Sequence, residues 1–262
     1  GAGSHIHIAA GAYTNGMETF PIILNKPGLR LIGAGRDNTL LDGLSVSLAR
    51  RIMELHGLTG DSEISGLTVS GARIPSSLLS MTLSEVPHNH FHLHYGGGMK
   101  LLNSTVRFSD MAVTNNTING GSNDNTAGAG VYSLYGWVAM TNSLVSGNTL
   151  YRSSAPTRGT GYGGGLFING GFWSIQDSLI VSNKANLGAL GGNSGGGIYM
   201  IGAPHHIADT TITDNLAGGQ STRSQLGAGI YMNNGLVERC SITGNYSSTT
   251  TAAGGGVYMT GG

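Results

Sequence analysis

The chain has 262 residues, 13 basic against 13 acidic side chains, 46 glycines and a single cysteine. That balance leaves no electrostatic case for nucleic acid or an anionic membrane surface, and Cys240 alone excludes an intrachain disulfide. Glycine without a three-residue period excludes collagen, and no run of about 18 apolar residues exists to span a bilayer.

The N-terminal part reads as short strands closed by turn residues. His5-Ile6-His7-Ile8 alternates polar and apolar and stops at Gly11. Pro21-Ile22-Ile23-Leu24 is a brief apolar run. Leu29 to Ile32 ends at Gly33-Ala34-Gly35, Leu40-Leu41 at Asp42-Gly43, and Ile52 to Leu55 at His56-Gly57. Ile64 to Val69 ends at Ser70-Gly71. None of these carries a helical period that would supply crossover helices. The opening GAGSHIHI already reads as strand with no signal peptide, so a segment of a longer chain is expected. Residues 72–95 interrupt the pattern. Leu78, Leu79, Met81 and Leu83 fall at roughly helical spacing after Pro75, so a long loop with a helical turn or two is expected there.

From residue 96 to 262 one unit recurs, best seen in GGGLFINGGFWSIQDSLIVSN, Gly163 to Asn183. Its first glycine recurs as Gly96, Gly128, Gly163, Gly195, Gly227 and Gly254, at steps of 32, 35, 32, 32 and 27 residues. The stretch from glycine to closing Asn keeps its length almost unchanged, whereas the stretch from Asn to the next glycine varies. Constant length points to strands held in register, and variable length to loops on one side.

Stacking the units gives columns. Met99, Val131, Leu166, Ile198, Ile230 and Val257 form one; Leu101, Ser133, Ile168, Met200, Met232 and Met259 lie two residues further on. Period two sends both inward. Phe108, Met140, Ile175, Ile207 and Val237 form a further inward column, as do Val113, Val145, Ile180, Ile212 and Ile242. The closing Asn116, Asn148, Asn183, Asn215 and Asn245 are expected to brace a bend as a ladder, each side chain bonding to backbone and to the next Asn. The residue between the first two inward columns is Lys100, Tyr132, Phe167, Tyr199, Tyr231 and Tyr258, and alternation turns it outward.

These motifs resemble the right-handed parallel β-helix of the pectate-lyase-like superfamily. IHIAAGAY, LRLIGAG, TLLDG and ISGLTVSG, between residues 5 and 71, are similar to its opening coils. The Gly-Gly-x-Ile and Ile-x-x-Asn pairs of 96–262 are similar to repeats of surface proteins of the polymorphic-membrane-protein, autotransporter type. The expected fold is therefore all-β: one single-stranded right-handed parallel β-helix solenoid spanning 1–262, of about eight coils and part of a ninth. Uncapped coil ends would invite self-association. The resemblance is specific for fold and weak for function, since the fold hosts lyases, hydrolases, esterases and adhesins.

The functional readings compete. An exposed stripe of Tyr132, Phe167, Tyr199, Tyr231 and Tyr258 would suit the apolar faces of sugar rings, and in the superfamily this face carries polysaccharide. The rings could instead stack on one another beneath the loops and add only stability. Asp110, Asn142, Asp177 and Asp209 share a column continued by Arg239. Repulsion between stacked Asp177 and Asp209 would offer Ca2+ a place, against a reading as solvated turn residues. A β-elimination lyase would need a cation and a base, for which Arg152, Arg158, Arg223 and Lys184 are candidates. His88, His90, His92 and His94 would share one strand face, but alternate strand positions lie about 7 Å apart, awkward for a tetrahedral metal.

No catalytic residue, metal or cofactor is assigned on this basis. The leading expectation is a non-catalytic extracellular or cell-surface adhesin or scaffold that binds a polysaccharide or host-cell glycan. A uronate polysaccharide lyase and a purely structural filament subunit stacking end to end are the alternatives.

Overall fold

The inward columns become the core of a parallel β-solenoid. In the computed structural model, residues 3–14, 18–43, 51–75, 95–120, 125–151, 159–186, 192–219, 224–249 and 251–261 are described. Every named strand pairing is parallel, and no helix occurs among the described residues. The chain winds as a right-handed β-helix. No helix of the described residues is long and apolar enough to cross a membrane.

Three faces run the length of the coil. The first carries His5–His7, Arg30–Ile32, the early parts of Ser62–Ser70 and Thr105–Thr114, the late parts of Val131–Thr141 and Leu166–Gln176, then His205–Ala208 and Gly235–Glu238. The second carries Gly11–Thr14, Thr39–Asp42, the late parts of Ser62–Ser70 and Thr105–Thr114, Leu144–Ser146, Leu179–Val181, Thr211–Thr213 and Ser241–Thr243. The third carries Ile22–Leu24, Met53–His56, Met99–Leu102, the early parts of Val131–Thr141 and Leu166–Gln176, Ile198–Ile201, Ile230–Met232 and Val257–Met259.

Two shorter ladders lie within the stretch whose length varies. One follows the closing Asn: Arg73–Ile74, Thr117–Asn119, Thr149–Tyr151, Lys184–Asn186, Leu216–Gly218 and Tyr246–Ser247. The other precedes the glycines: Thr126–Ala127, Gly161–Tyr162 and Asn193–Ser194. The variable stretch is thus strand at both ends, with its length differences confined between them. Among the described residues, six windings carry the fourth ladder. The coil count is therefore slightly lower than expected, because Val257–Met259 completes a layer rather than opening a ninth. Residues 72–95 are not wholly an insertion: Arg73–Ile74 pairs with Thr117 and Ile118, and Tyr95 bridges to Ala127. The helical turn expected near Leu78 lies outside the described residues.

The core follows from period-two alternation. Met99, Val131, Leu166, Ile198 and Ile230 are buried in one register column, and Phe108, Met140, Ile175 and Ile207 in another. Burying each such side chain contributes about 1.5–3 kcal/mol. A further inward column, Val106, Val138 and Trp173, was not among those expected, and Trp173 is the largest fully buried side chain.

Backbone geometry sets the corners. The glycine opening each unit has φ near +60°, and a Cβ on Gly163 would lie 2.1 Å from the Leu166 carbonyl oxygen. No other residue fits there. At the corner between the first and second faces, Asp110, Asn142, Asp177, Asp209 and Arg239 all have φ between 45° and 51°. Asp and Asn adopt this left-handed conformation more cheaply than other side-chain-bearing residues, which accounts for most of that column.

Candidate functional site

On the third face, register places Ile23, Glu54, Lys100, Tyr132, Phe167, Tyr199, Tyr231 and Tyr258 in one outward column. From Tyr132 onward the rings stack nearly parallel, with centroid separations of 5.0, 5.4, 4.5 and 5.5 Å. Tyr95 extends the stack at 4.8 Å from Tyr132. Tyr162 leans in at 4.9 Å from Tyr199.

This arrangement corrects the exposed stripe expected above. Tyr132 is only 5% exposed and Phe167 8%, both packed with Ala127 and flanked by Tyr95, Leu102, Leu134 and Tyr162. The strand and bridge residues before the glycines form a second wall over the rings. Tyr199, Tyr231 and Tyr258 are half-buried. Tyr199 and Tyr231 have stacked rings on both faces, so what they turn towards solvent is edge, whereas Tyr258 is stacked on the Tyr231 side. Burial first, then neighbouring tyrosines, raises the phenol pKa values of Tyr132 and Tyr199 above the ordinary value.

The column begins in charge. Arg51 donates from Nε to the Gly96 carbonyl at 2.7 Å and pairs through its guanidinium with Glu54. Glu54 also meets His56 Nε2 at 2.9 Å. Lys100, directly opposite Glu54 on the next winding, is buried. Burial, and then the Arg51 charge, push its ammonium down to about 8 against a partial restoring pull from Glu54. Glu54 itself titrates below the ordinary carboxylate value: burial opposes the shift, but Arg51 and His56 outweigh it.

Polar side chains tie winding to winding at the corner closed by Asn. Asn116 donates from Nδ2 to Asn148 Oδ1 at 2.9 Å, Asn148 to Asn183 at 2.9 Å, Asn183 to Asn215 at 3.0 Å and Asn215 to Asn245 at 2.9 Å. The same oxygens accept the backbone N–H of the preceding Asn. Each Nδ2 also donates to a carbonyl of the previous winding, Val145 for Asn183. A second polar column, which sequence reasoning missed, runs through Ser143, Ser178 and Thr210. The Met111, Ser143 and Ser178 amides donate to the hydroxyls of Ser143, Ser178 and Thr210. Cys240 occupies the next position and donates to the Glu238 carbonyl at 3.2 Å. A hydroxyl or thiol directly after the Asn/Asp/Arg corner residue was the available signal.

The remaining candidates separate. Both Asp209 oxygens accept from Arg239 at 2.8 Å, so its nearest partner is a guanidinium rather than Asp177. Arg36 holds Asp110 through a backbone amide and a 3.5 Å ion pair. Among the described residues no group of three or more His, Cys, Asp or Glu could hold a metal. His88, His90, His92 and His94 lie outside the described residues, as do Arg152, Arg158 and Arg223. Lys184 is exposed, on the ladder that follows the Asn corner. His205 and His206 lie on the strand His205–Ala208. His205 is buried, and its Nδ1 accepts the Trp173 N–H at 3.3 Å. His206 meets Glu238 at 3.0 Å.

Large aromatic side chains are exposed elsewhere, at the corner joining the third face to the first. Tyr135 is 63% exposed and Trp137 62%. Trp137 tilts against Phe172 at 5.4 Å and 38°. Neither residue was singled out from sequence, where both look like ordinary strand aromatics.

Comparison with known proteins adds little to this geometry. No family model matches the chain, and no curated protein does. Among solved structures, the catalytic domain of a GH87 alpha-1,3-glucanase in complex with tetrasaccharides aligns at 11% identity and a TM-score of 0.30. The alignment covers 98% of this chain and 63% of that one, so the chain spans less than two thirds of that domain.

Proposed function

We propose that the protein is a non-catalytic extracellular scaffold, a rigid β-helical repeat that holds glycan on its outer surface. The observation that carries this reading is the continuity of the side-chain columns from winding to winding. Asn amides and aromatic rings at equivalent positions meet their own counterparts one layer away, and the Ser178 and Thr210 hydroxyls accept the backbone N–H of Ser143 and Ser178. Such ladders stiffen a solenoid along its axis and repeat one surface at every layer, which suits a polymer ligand. The half-buried edges of Tyr199, Tyr231 and Tyr258 are one place for that polymer.

The test is retardation in native gels cast with soluble polysaccharides. The wild type is expected to be slowed by at least one polymer, and the Tyr199→Ala/Tyr231→Ala double variant to be slowed less. A double variant that migrates like a retarded wild type would remove the third-face edges from the reading. A wild type unaffected by every polymer would remove glycan binding and leave the scaffold.

A second reading has one observation in its favour. Lys100, at about 8 beside Arg51, is a lysine able to be neutral near physiological pH, as the base of a uronate lyase must be. Incubation with uronate polymers separates the two. Absorbance from an unsaturated product that disappears with Lys100→Met would favour the lyase over the scaffold.

A further inference from the structure

The exposed rings at the corner between the third and first faces are not explained by folding. Leu102, Leu134 and Asn169 are in register on adjacent windings, so Asn103, Tyr135 and Gly170 occupy one corner position. All three have positive φ: 48°, 55° and 70°. Asn and Gly take that conformation readily, whereas for an ordinary L-residue it costs about 1–2 kcal/mol. Tyr135 bears that cost with its ring 63% exposed, so core burial does not offset it. Strained residues of this kind cluster where a side chain must be held in place for a ligand.

The neighbouring winding is shaped to accept the ring. A Cβ on Gly170 would lie 2.6 Å from Tyr135 Cδ1 and 3.0 Å from Cε1. Only glycine lets the Tyr135 ring lie against the backbone there. Two residues further on, Trp137 leans on Phe172, and the tilt leaves most of the indole in solvent. The corner segments supply amides, on Asn103, Asn169 and Asn233, and Thr105 pairs in register with Trp137. No charged residue occurs in the corner segments 102–105, 133–137, 168–172, 201–204 or 232–235; beyond them, Arg107 lies two residues past Thr105, and Asp61 just before Ser62 on the preceding winding.

From this we infer that Tyr135, Trp137 and Phe172 form a platform for the pyranose rings of a neutral polysaccharide. Aromatic faces match the apolar C–H faces of sugars, amides match their hydroxyls, and the lack of charge selects an uncharged polymer over a uronate. The assignment rests on the glycan reading above but moves its contact surface. On the third face stacking occupies both faces of Phe167, Tyr199 and Tyr231, whereas at this corner Tyr135 and Trp137 keep more than half of their surface in solvent.

The two tryptophans make the test direct, since Trp137 is exposed and Trp173 is fully buried. Native gels containing soluble neutral glucans and mannans, with polygalacturonate as the charged control, are run with wild type, Trp137→Ala, Tyr135→Gly and Tyr246→Ala. Acrylamide quenching of tryptophan emission is measured with and without the retarding polymer. The expected result is retardation by a neutral polymer, shielding of Trp137 from acrylamide, and affinity roughly tenfold weaker in Trp137→Ala but unchanged in Tyr246→Ala, which removes an exposed ring away from this corner. Thermal unfolding of Trp137→Ala checks that it is folded, and Tyr135→Gly, a replacement suited to that backbone, gives a second loss of affinity. A retarded wild type matched by both corner variants would overturn the platform while sparing the glycan reading. Retardation by polygalacturonate alone would overturn the neutral ligand, and a wild type retarded by nothing would overturn both.

Discussion

Tyr132 and Tyr135 stand three residues apart on one strand and have opposite surroundings. Tyr132 continues an outward column whose counterparts are aromatic on the following windings, so its ring is clamped between Tyr95 and Phe167 and almost wholly buried. Tyr135 sits at a corner whose counterparts are Asn103 and Gly170, with no ring to stack on, and it stays in solvent on a left-handed backbone. In a solenoid, the identity of the residue one layer away decides whether an aromatic side chain contributes to the fold or is left available to a partner. Inside and outside, as assigned by alternation, do not settle it.

The largest expected contrast is in stability. Phe167→Ala removes a ring lying 5.0 Å from Tyr132 and 5.4 Å from Tyr199. It should cost about 3–5 kcal/mol in urea unfolding, whereas Trp137→Ala should cost about 1 kcal/mol or less. Equal losses would erase the distinction between the two ring sets.

Asn183→Ala should follow, at about 3 kcal/mol, because it strands the buried Val145 carbonyl and the Asn148 amide at once. Asn245→Ala, at a half-buried position, should cost less. Thermal unfolding of the pair gives the ranking. If the two variants melt together, the Asn column is not a graded, layer-by-layer brace.

The closed column should also leave an alkaline signature. Lys100 titrates near 8 when folded, below the free value of 10.5, so the unfolded chain binds more protons between those limits. Stability should therefore rise as pH climbs from about 8. The Tyr132 and Tyr199 phenols are raised above the free value of 10.0, so above that pH the folded chain holds the extra protons and stability should fall. Urea midpoints across this range should show a maximum near pH 10, and Lys100→Met should lose the rising limb. A flat profile in the wild type would mean that Lys100 and the tyrosines are not desolvated as the stack requires.

The smallest effect has the opposite sign. Tyr135→Gly relieves about 1–2 kcal/mol of left-handed strain and costs about 0.5–1 kcal/mol in backbone entropy. A net gain of about 0.5 kcal/mol should show as a slightly higher Tm. A clear loss would mean that the Tyr135 ring contributes packing after all.

The repeat made much of the fold legible. Aliphatic residues at period two, a glycine that opens each unit and an Asn that closes its constant part specify parallel strands in register, because any slip would turn the aliphatic column into solvent. The Ser143–Ser178–Thr210 column is present in the sequence as a hydroxyl after Asn142, Asp177 and Asp209, but Met111 and Cys240 interrupt it at either end, so it is a weaker signal than the unbroken Asn column. His205 was not among the inward columns expected from the repeat. In the structure it takes an inward strand position beside Trp173, where its ring accepts a backbone N–H.

The sequence by itself determined the architecture and the outward direction of the tyrosine column, since both follow from local periodicity repeated at a nearly constant interval. Only the tertiary structure decided what covers that column. The strands before each glycine fold back as a wall over Tyr132 and Phe167, and the walling residues belong to the stretch whose length varies from unit to unit. It also decided that Tyr135 and Trp137 are the open rings, because a ring's freedom depends on its neighbour one winding away, some thirty residues along the chain, which no local pattern records.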